Sequence, residues 1–227
     1  MKKNIILQHF EAQAGNIGKP MPEIVQKSTA NIRKYAERLD AEYRLLDGYP
    51  FQKGLRSQCQ KVCAINEEYD EYDTVVVLDT DKFVTTTCTD NVFEAKGIAP
   101  FDEVHRLRQL PAFHSEFPRI SSLEYPMWSG AIYVMPREFR QLMRKQVNDA
   151  MRKVFESISP KPYVDEGMFH VMCFKAKFKL DKYLDEKWDY SSYLPNPEKA
   201  NMIHVRHKPL TRMENYYNLV ERGIIYE

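Results

Sequence analysis

Residues 74–84 read Thr74-Val-Val-Val-Leu-Asp79-Thr-Asp81-Lys-Phe-Val84. A short apolar run rich in β-branched side chains ends abruptly in two carboxylates spaced i, i+2. The run predicts a buried strand in a sheet covered on both faces, because a half-exposed strand alternates apolar with polar residues. Side chains two apart on a strand point to the same side, so Asp79 and Asp81 are expected to reach one ion. Two hard carboxylates at the carboxyl end of such a strand suit Mn²⁺ or Mg²⁺, and that end is where open α/β sheets bind ligands. A plain surface turn also favours Asp at a strand exit. The rest of the chain has to decide.

Toward the amino terminus, residues 3–10 contain Ile5-Ile6-Leu7 and read as an opening strand. Pro20 and Pro22 introduce a helix with apolar positions at Met21, Ile24, Val25, Ile32, Tyr35, Ala36 and Leu39. Residues 43–46 form a second short strand, closed by Asp47-Gly48. Leu55, Cys59, Val62, Cys63 and Tyr69 fall on one helical face. The order β-α-β-α-β predicts an α/β fold with a mainly parallel sheet and right-handed crossovers.

Toward the carboxyl terminus, residues 83–87 and 91–95 are strand candidates. Residues 100–126 are rich in Pro, His and Arg without a clear period, as in a long functional loop or irregular subdomain. Strand character returns at 128–135. Pro136 opens a helix whose apolar stripe runs Phe139, Leu142, Met143, Val147, Ala150, Met151, Val154, Phe155 and Ile158. A last helix, about 211–222, ends at Gly223, a good C-cap.

A chain of 227 residues fits one large domain or a domain with a subdomain, and its 43% hydrophobic content can fill a sizeable core. Basic and acidic residues nearly cancel, 33 against 32, so nothing points to a nucleic-acid surface. Cys59, Cys63, Cys88 and Cys173 form no zinc-ligand spacing and read as reduced thiols of a cytosolic protein. The start Met-Lys-Lys-Asn-Ile-Ile-Leu has too short an apolar core for a signal peptide, and no stretch approaches membrane-spanning length. The expectation is a soluble, cytoplasmic protein.

Three constellations follow one another: Asp79-Thr-Asp81, then Trp128-Ser129-Gly130-Ala131-Ile132-Tyr133-Val134-Met135, then Asp165-Glu166-Gly-Met-Phe-His. Near the end comes His204-Val-Arg-His207-Lys208-Pro209. In this order the chain resembles metal-dependent nucleotide-sugar glycosyltransferases of the GT-A fold, nearest to the glycogenin and lipopolysaccharide galactosyltransferase group. The resemblance implies one GT-A-like domain over 1–227, with a nucleotide-sugar half at about 1–98 and an acceptor half at about 99–227. It implies a nucleotide-sugar donor, UDP-sugar favoured, a glycan acceptor and Mn²⁺ or Mg²⁺ bound by Asp79, Asp81 and His204. Asp79 would also lie near the donor ribose, and Lys208 would contact the diphosphate. Here Arg206 and His207 occupy the interval before Lys208, so His207 competes with His204 for the ligand role. A viral chain of this kind would work in the host cytoplasm.

The donor base is expected at the carboxyl end of the first strand, near Gln8, His9 and Phe10, with Arg56 and Lys53 in reach of the nucleotide. Tyr125, Trp128 and Trp188 offer faces for sugar stacking. Asp165-Glu166 matches the group's Asp-Gln pair, with Glu replacing Gln. Asp165 can serve as a helix cap, but either residue can also act as a base on an acceptor hydroxyl, and direct displacement would invert the anomeric centre. A phosphatase of the haloacid dehalogenase type is rejected, since its Asp-x-Asp opens the domain and continues with Gly. A nucleotidyltransferase would show a compact Gly-rich signature, of which Gln13-Ala-Gly15-Asn-Ile-Gly18-Lys19 is a faint echo. A non-catalytic sugar-nucleotide-binding protein is the other alternative.

Overall fold

The apolar run forms a strand, β3 (Thr74–Leu78), in a computed structural model that describes residues 2–10, 21–101, 129–159, 164–206 and 209–227. It is buried on both faces, with Val75 and Val77 in one core and Val76 and Leu78 in another. That is why the run does not alternate. Each such side chain contributes about 1.5–3 kcal/mol by leaving water.

β1 (Asn4–His9) runs parallel to β3, with Ile6 opposite Val76, and β2 (Glu42–Leu46) runs parallel to β1. β5 (Ile132–Pro136) closes the other side antiparallel, Val134 opposite Val76, in the order β2-β1-β3-β5. One face is covered by α1 (Glu23–Arg38) through Ile32, Tyr35 and Ala36. The other is covered by a 3₁₀ segment (Ser57–Ile65) and by α2 (Arg137–Arg144), α3 (Asp149–Ile158) and α4 (Val164–Ala176).

A second sheet stands beyond the carboxyl end of β3. β4 (Lys82–Val84) pairs antiparallel with β7 (Met202–His204), which pairs parallel with β6 (Tyr190–Ser191). α5 (Pro209–Glu221) packs there through Tyr216 and Leu219, against Phe83, Ile203 and Val205. Gly223 ends it at φ +67°: its N–H donates to the Val220 carbonyl, and the Ile224 N–H donates to that of Leu219.

Four local expectations are corrected. Residues 91–95 form no strand: the Asn91 side chain accepts the Phe93 N–H and starts a 3₁₀ turn, Val92–Glu94. The stripe from Phe139 to Ile158 is split between α2 and α3, because Asn148 caps the second helix by accepting the Met151 N–H at 2.9 Å. The segment before β3 winds as 3₁₀, and every residue from Cys59 to Ile65 is buried, more than one helical face would bury. Asp165 is no cap, since α4 already begins at Val164. The last strand of the large sheet is antiparallel, so the sheet is parallel-dominated and mixed.

Candidate active site

Asp79 and Asp81 sit in the turn between β3 and β4, not on the strand, and their convergence comes from that turn. The Asp79 N–H donates to the Ala131 carbonyl at 3.0 Å, and the Lys82 N–H donates back to the Asp79 carbonyl at 3.4 Å. The pairing of β4 with β7 sets Lys82 opposite His204, which carries the imidazole beside the turn. His204 Nε2 lies 3.0 Å from Asp81 Oδ1 and 3.8 Å from Asp79 Oδ2. One ligand atom from each of the three lies within 4.8 Å of the others. Two carboxylates and an imidazole at this spacing are a ligand set suited to a divalent cation.

Behind His204 stands Asp189, whose side chain is 3% exposed. Its Oδ1 lies 3.3 Å from His204 Nδ1 and accepts Lys82 Nζ at 2.6 Å, while its Oδ2 accepts Arg206 Nη2 at 2.8 Å. Arg206 Nε donates to His204 Nδ1 at 2.7 Å, and an accepting Nδ1 leaves the ring proton on Nε2, toward Asp81. A cation at Nε2 would replace that proton, while Arg206, held by Asp189, keeps the ring in place. Burial opposes the charge of Asp189, but Lys82, His204 and Arg206 outweigh it and hold the carboxyl far below the usual range. For His204 likewise, burial is outweighed by Asp81 and Asp189, and its pKa is raised. Asp81 is lowered despite burial, by His204 and by Arg212, whose guanidinium stands 3.5 Å away.

On the other flank Lys61 Nζ reaches Asp79 Oδ1, Asp165 Oδ2 and the Gly130 carbonyl, each at 2.8 Å. The Gly130 N–H donates to Glu166 Oε1 at 3.0 Å. These groups surround a cavity of about 470 Å³, whose lining includes Arg56, Lys61, Asp79, Gly130, Asp165, Glu166, His204 and Arg206.

The expected site residues therefore divide. Asp79, Asp81, His204, Asp165, Glu166 and Arg56 gather around one cavity or its rim. Gln8 does not face a ligand: fully buried, it accepts from the Tyr43 hydroxyl and donates to Ser28 Oγ and to the Asp79 carbonyl at 2.9 Å, bracing the turn from below. His9 contacts the Gly48 carbonyl and Ser57, and Phe10 packs against the core between the second sheet, α1 and α5. Trp188 is a core residue, 2% exposed, and no stacking platform. Lys208, His207, Tyr125, Trp128 and residues 13–19 lie outside the described residues.

Lys61, Lys82, Asp189 and Arg206 belong to the site and were not anticipated in these roles. A signal existed for the two lysines. Lys61, beside Gln60, is the charged residue of the otherwise apolar stretch Cys59 to Ile65, and Lys82 opens a buried strand; a buried ammonium demands a buried carboxylate. Nothing in the spacing around Asp189 marks it as that partner.

No family model matches the chain, and no curated protein matches it significantly. Solved structures match in fold. One is a glycosyltransferase involved in glycosylation of the major capsid of PBCV-1, at 13% identity and TM-score 0.55, over 95% of this chain and 99% of that one. The WbbM bifunctional glycosyltransferase matches at 12% identity and TM-score 0.55, over 96% of this chain but only 50% of its own. The galactosyltransferase LgtC, solved with donor and acceptor sugar analogs, matches at 10% identity and TM-score 0.51, over 94% of this chain and 95% of that one. The fold is therefore the α/β GT-A type of these glycosyltransferases.

Proposed function

We propose that the protein transfers a glycosyl group from a nucleoside-diphosphate sugar, by preference a UDP-sugar, to a hydroxyl of a glycan or similar acceptor. Mn²⁺ or Mg²⁺ would be held by Asp79, Asp81 and His204. The observation that carries this reading is the meeting of those three residues, from the β3–β4 turn and from β7, beside one cavity also lined by Arg56, Lys61 and Arg206. A bound divalent ion supplies Lewis-acid relief for the charge that builds on the departing diphosphate. Arg56 and Arg206 offer guanidinium groups suited to phosphate oxygens, and Lys208 takes the same task by its place after His204. Asp165, neutralised by Lys61, is the carboxylate placed to accept from a sugar hydroxyl. His9 and Phe10 stand at the end of β1, where the nucleobase is assigned. Four buried free thiols suit a reducing, cytoplasmic setting. Among the described residues no helix is long and apolar enough to cross a membrane.

The test is a panel of nucleotide sugars assayed for hydrolysis and transfer with and without Mn²⁺, beside Asp81→Ala. Turnover that needs Mn²⁺ and disappears in Asp81→Ala is expected. Full turnover of Asp81→Ala in EDTA would refute the metal chemistry. Absence of both turnover and thermal stabilisation by any nucleoside diphosphate with Mn²⁺ would refute the reading as a whole.

A further inference from the structure

Glu166 replaces the glutamine of the group this chain resembles, and its surroundings bear on what that exchange does. Asp165 and Glu166 lie in the first turn of α4 and bring their carboxyl groups to the same spot beside Gly130. A methyl group built on Gly130 would lie 2.7 Å from Asp165 Oδ2 and 2.8 Å from Glu166 Oε1, so the two oxygens flank one small volume. The residues are 4% and 5% exposed, and both line the cavity. Asp165 is committed to Lys61, and Lys61 divides its three donors between Asp165, Asp79 and the Gly130 carbonyl. Two adjacent carboxyl groups out of water do not both ionise, because a shared proton replaces repulsion with a hydrogen bond.

We propose that Glu166 carries a proton at neutral pH, shared in a hydrogen bond with Asp165, so that it borders the cavity as a neutral hydrogen-bonding group and not as a base.

The other groups around the pair agree. Lys61 and Cys59 approach from the 3₁₀ segment, Tyr133 from β5 and Asp79 from the turn. Burial pushes the Cys59 thiol up to about 12 and the Tyr133 phenol well up, so neither adds charge. Burial, and then the charge of Asp165, raise Glu166 well above the ordinary glutamate range, and Lys61 offsets only part of this. A neutral carboxyl, like a glutamine amide, both donates and accepts, with one donor where the amide has two. The substitution thus keeps a neutral donor–acceptor group and introduces no base. What it binds, a sugar hydroxyl, rests on the transferase reading; the proton does not.

The proton can be sought in the protein alone. Difference infrared spectroscopy in D₂O at neutral pD is expected to show the C=O stretch of a protonated carboxyl in the wild type, lost in Glu166→Gln. If that variant fails to fold, Asp165→Asn serves, because Lys61 is then released to neutralise an ionised Glu166 and the band again disappears. A wild type without the band, or a band that survives the substitution, overturns the proposal. Stability gives a second reading. The raised folded pKa contributes stability at low pH that is lost as pH rises above the ordinary Glu value, so Glu166→Gln should remove that decline. Equal pH slopes would count against the shared proton. In transfer assays Glu166→Gln should exceed Glu166→Ala by about tenfold, the worth of one hydrogen bond, whereas loss of a base leaves both equally inert. Spectrum and melts need no donor, so failure of the transferase reading would leave them intact.

Discussion

Lys61 and Lys82 are both buried on either flank of Asp79, and their surroundings drive them in opposite directions. Burial disfavours the charge of each. Around Lys61 the carboxylates of Asp165 and Asp79 outweigh that penalty and its pKa is raised. Around Lys82 burial prevails over Asp189, whose charge is drawn on by Arg206 and His204 as well, and its pKa is lowered. One flank is rich in acids and the other in cations, with the Asp-x-Asp turn between them. Under the proposed function this polarity orients the donor. The diphosphate belongs on the Arg206 side, and the sugar hydroxyls on the side of Asp165 and Glu166.

The largest expected effect comes from emptying the cation-rich flank of its single buried acid. Asp189→Ala leaves the Lys82 ammonium, 0% exposed, without its carboxylate, and breaking such a buried pair costs about 3–5 kcal/mol. It also frees the Nδ1 side of His204, which should weaken Mn²⁺ binding by about 10–100-fold. Lys61→Met leaves Asp165, 5% exposed, without its cation and should cost a similar amount, about 3–5 kcal/mol, while Asp79, 31% exposed, can rehydrate. Denaturant titration measures both variants. A loss under about 1 kcal/mol in either would show that its flank is not held by a buried ion pair.

Next in size is Gly130→Ala. The added methyl would press within 3 Å of two buried carboxyl oxygens, a degree of overpacking that costs about 1–3 kcal/mol. It strikes the acid-rich flank alone. Transfer should fall steeply while calorimetric binding of Mn²⁺ with a nucleoside diphosphate persists. Parallel loss of both would show that the flanks are not separable in this way.

The same contrast explains what was legible in the chain. The acid-rich flank and the metal ligands lie in local patterns: an apolar run ending in Asp79 and Asp81, an acidic pair opening a helix, a histidine closing a short apolar segment. β3 is legible as an unbroken apolar run and the end of α5 by Gly223, both of them local signals. The cation-rich flank is built from long-range meetings, Lys82 with Asp189 107 positions on and Arg206 with Asp189 across two strands, and no spacing encodes them. Gln8 misled because a polar residue at a strand end resembles a ligand contact. Its role depends on Tyr43, Ser28 and the Asp79 carbonyl, which only the folded chain brings together. The break at Asn148 was missed because one apolar stripe runs through both helices.

The smallest effect is a test by pH of the group that joins the two flanks. In the metal-free protein His204 has a raised pKa, with burial opposed and outweighed by Asp81 and Asp189. Its contribution to stability is therefore complete below the unfolded value of 6.5 and is lost as pH rises through the folded value. Metal binding has the opposite dependence, because the imidazole must give up its Nε2 proton before that nitrogen can become a ligand. Thermal melts of the metal-free wild type should decline above pH 6.5, while Mn²⁺ affinity measured by calorimetry climbs across the same window. His204→Gln should flatten the first curve and depress the second at every pH. If the variant instead keeps the wild-type slope in both, the imidazole is not the group that passes from proton to metal, and the link between Asp189 and the Asp-x-Asp turn does not run through it.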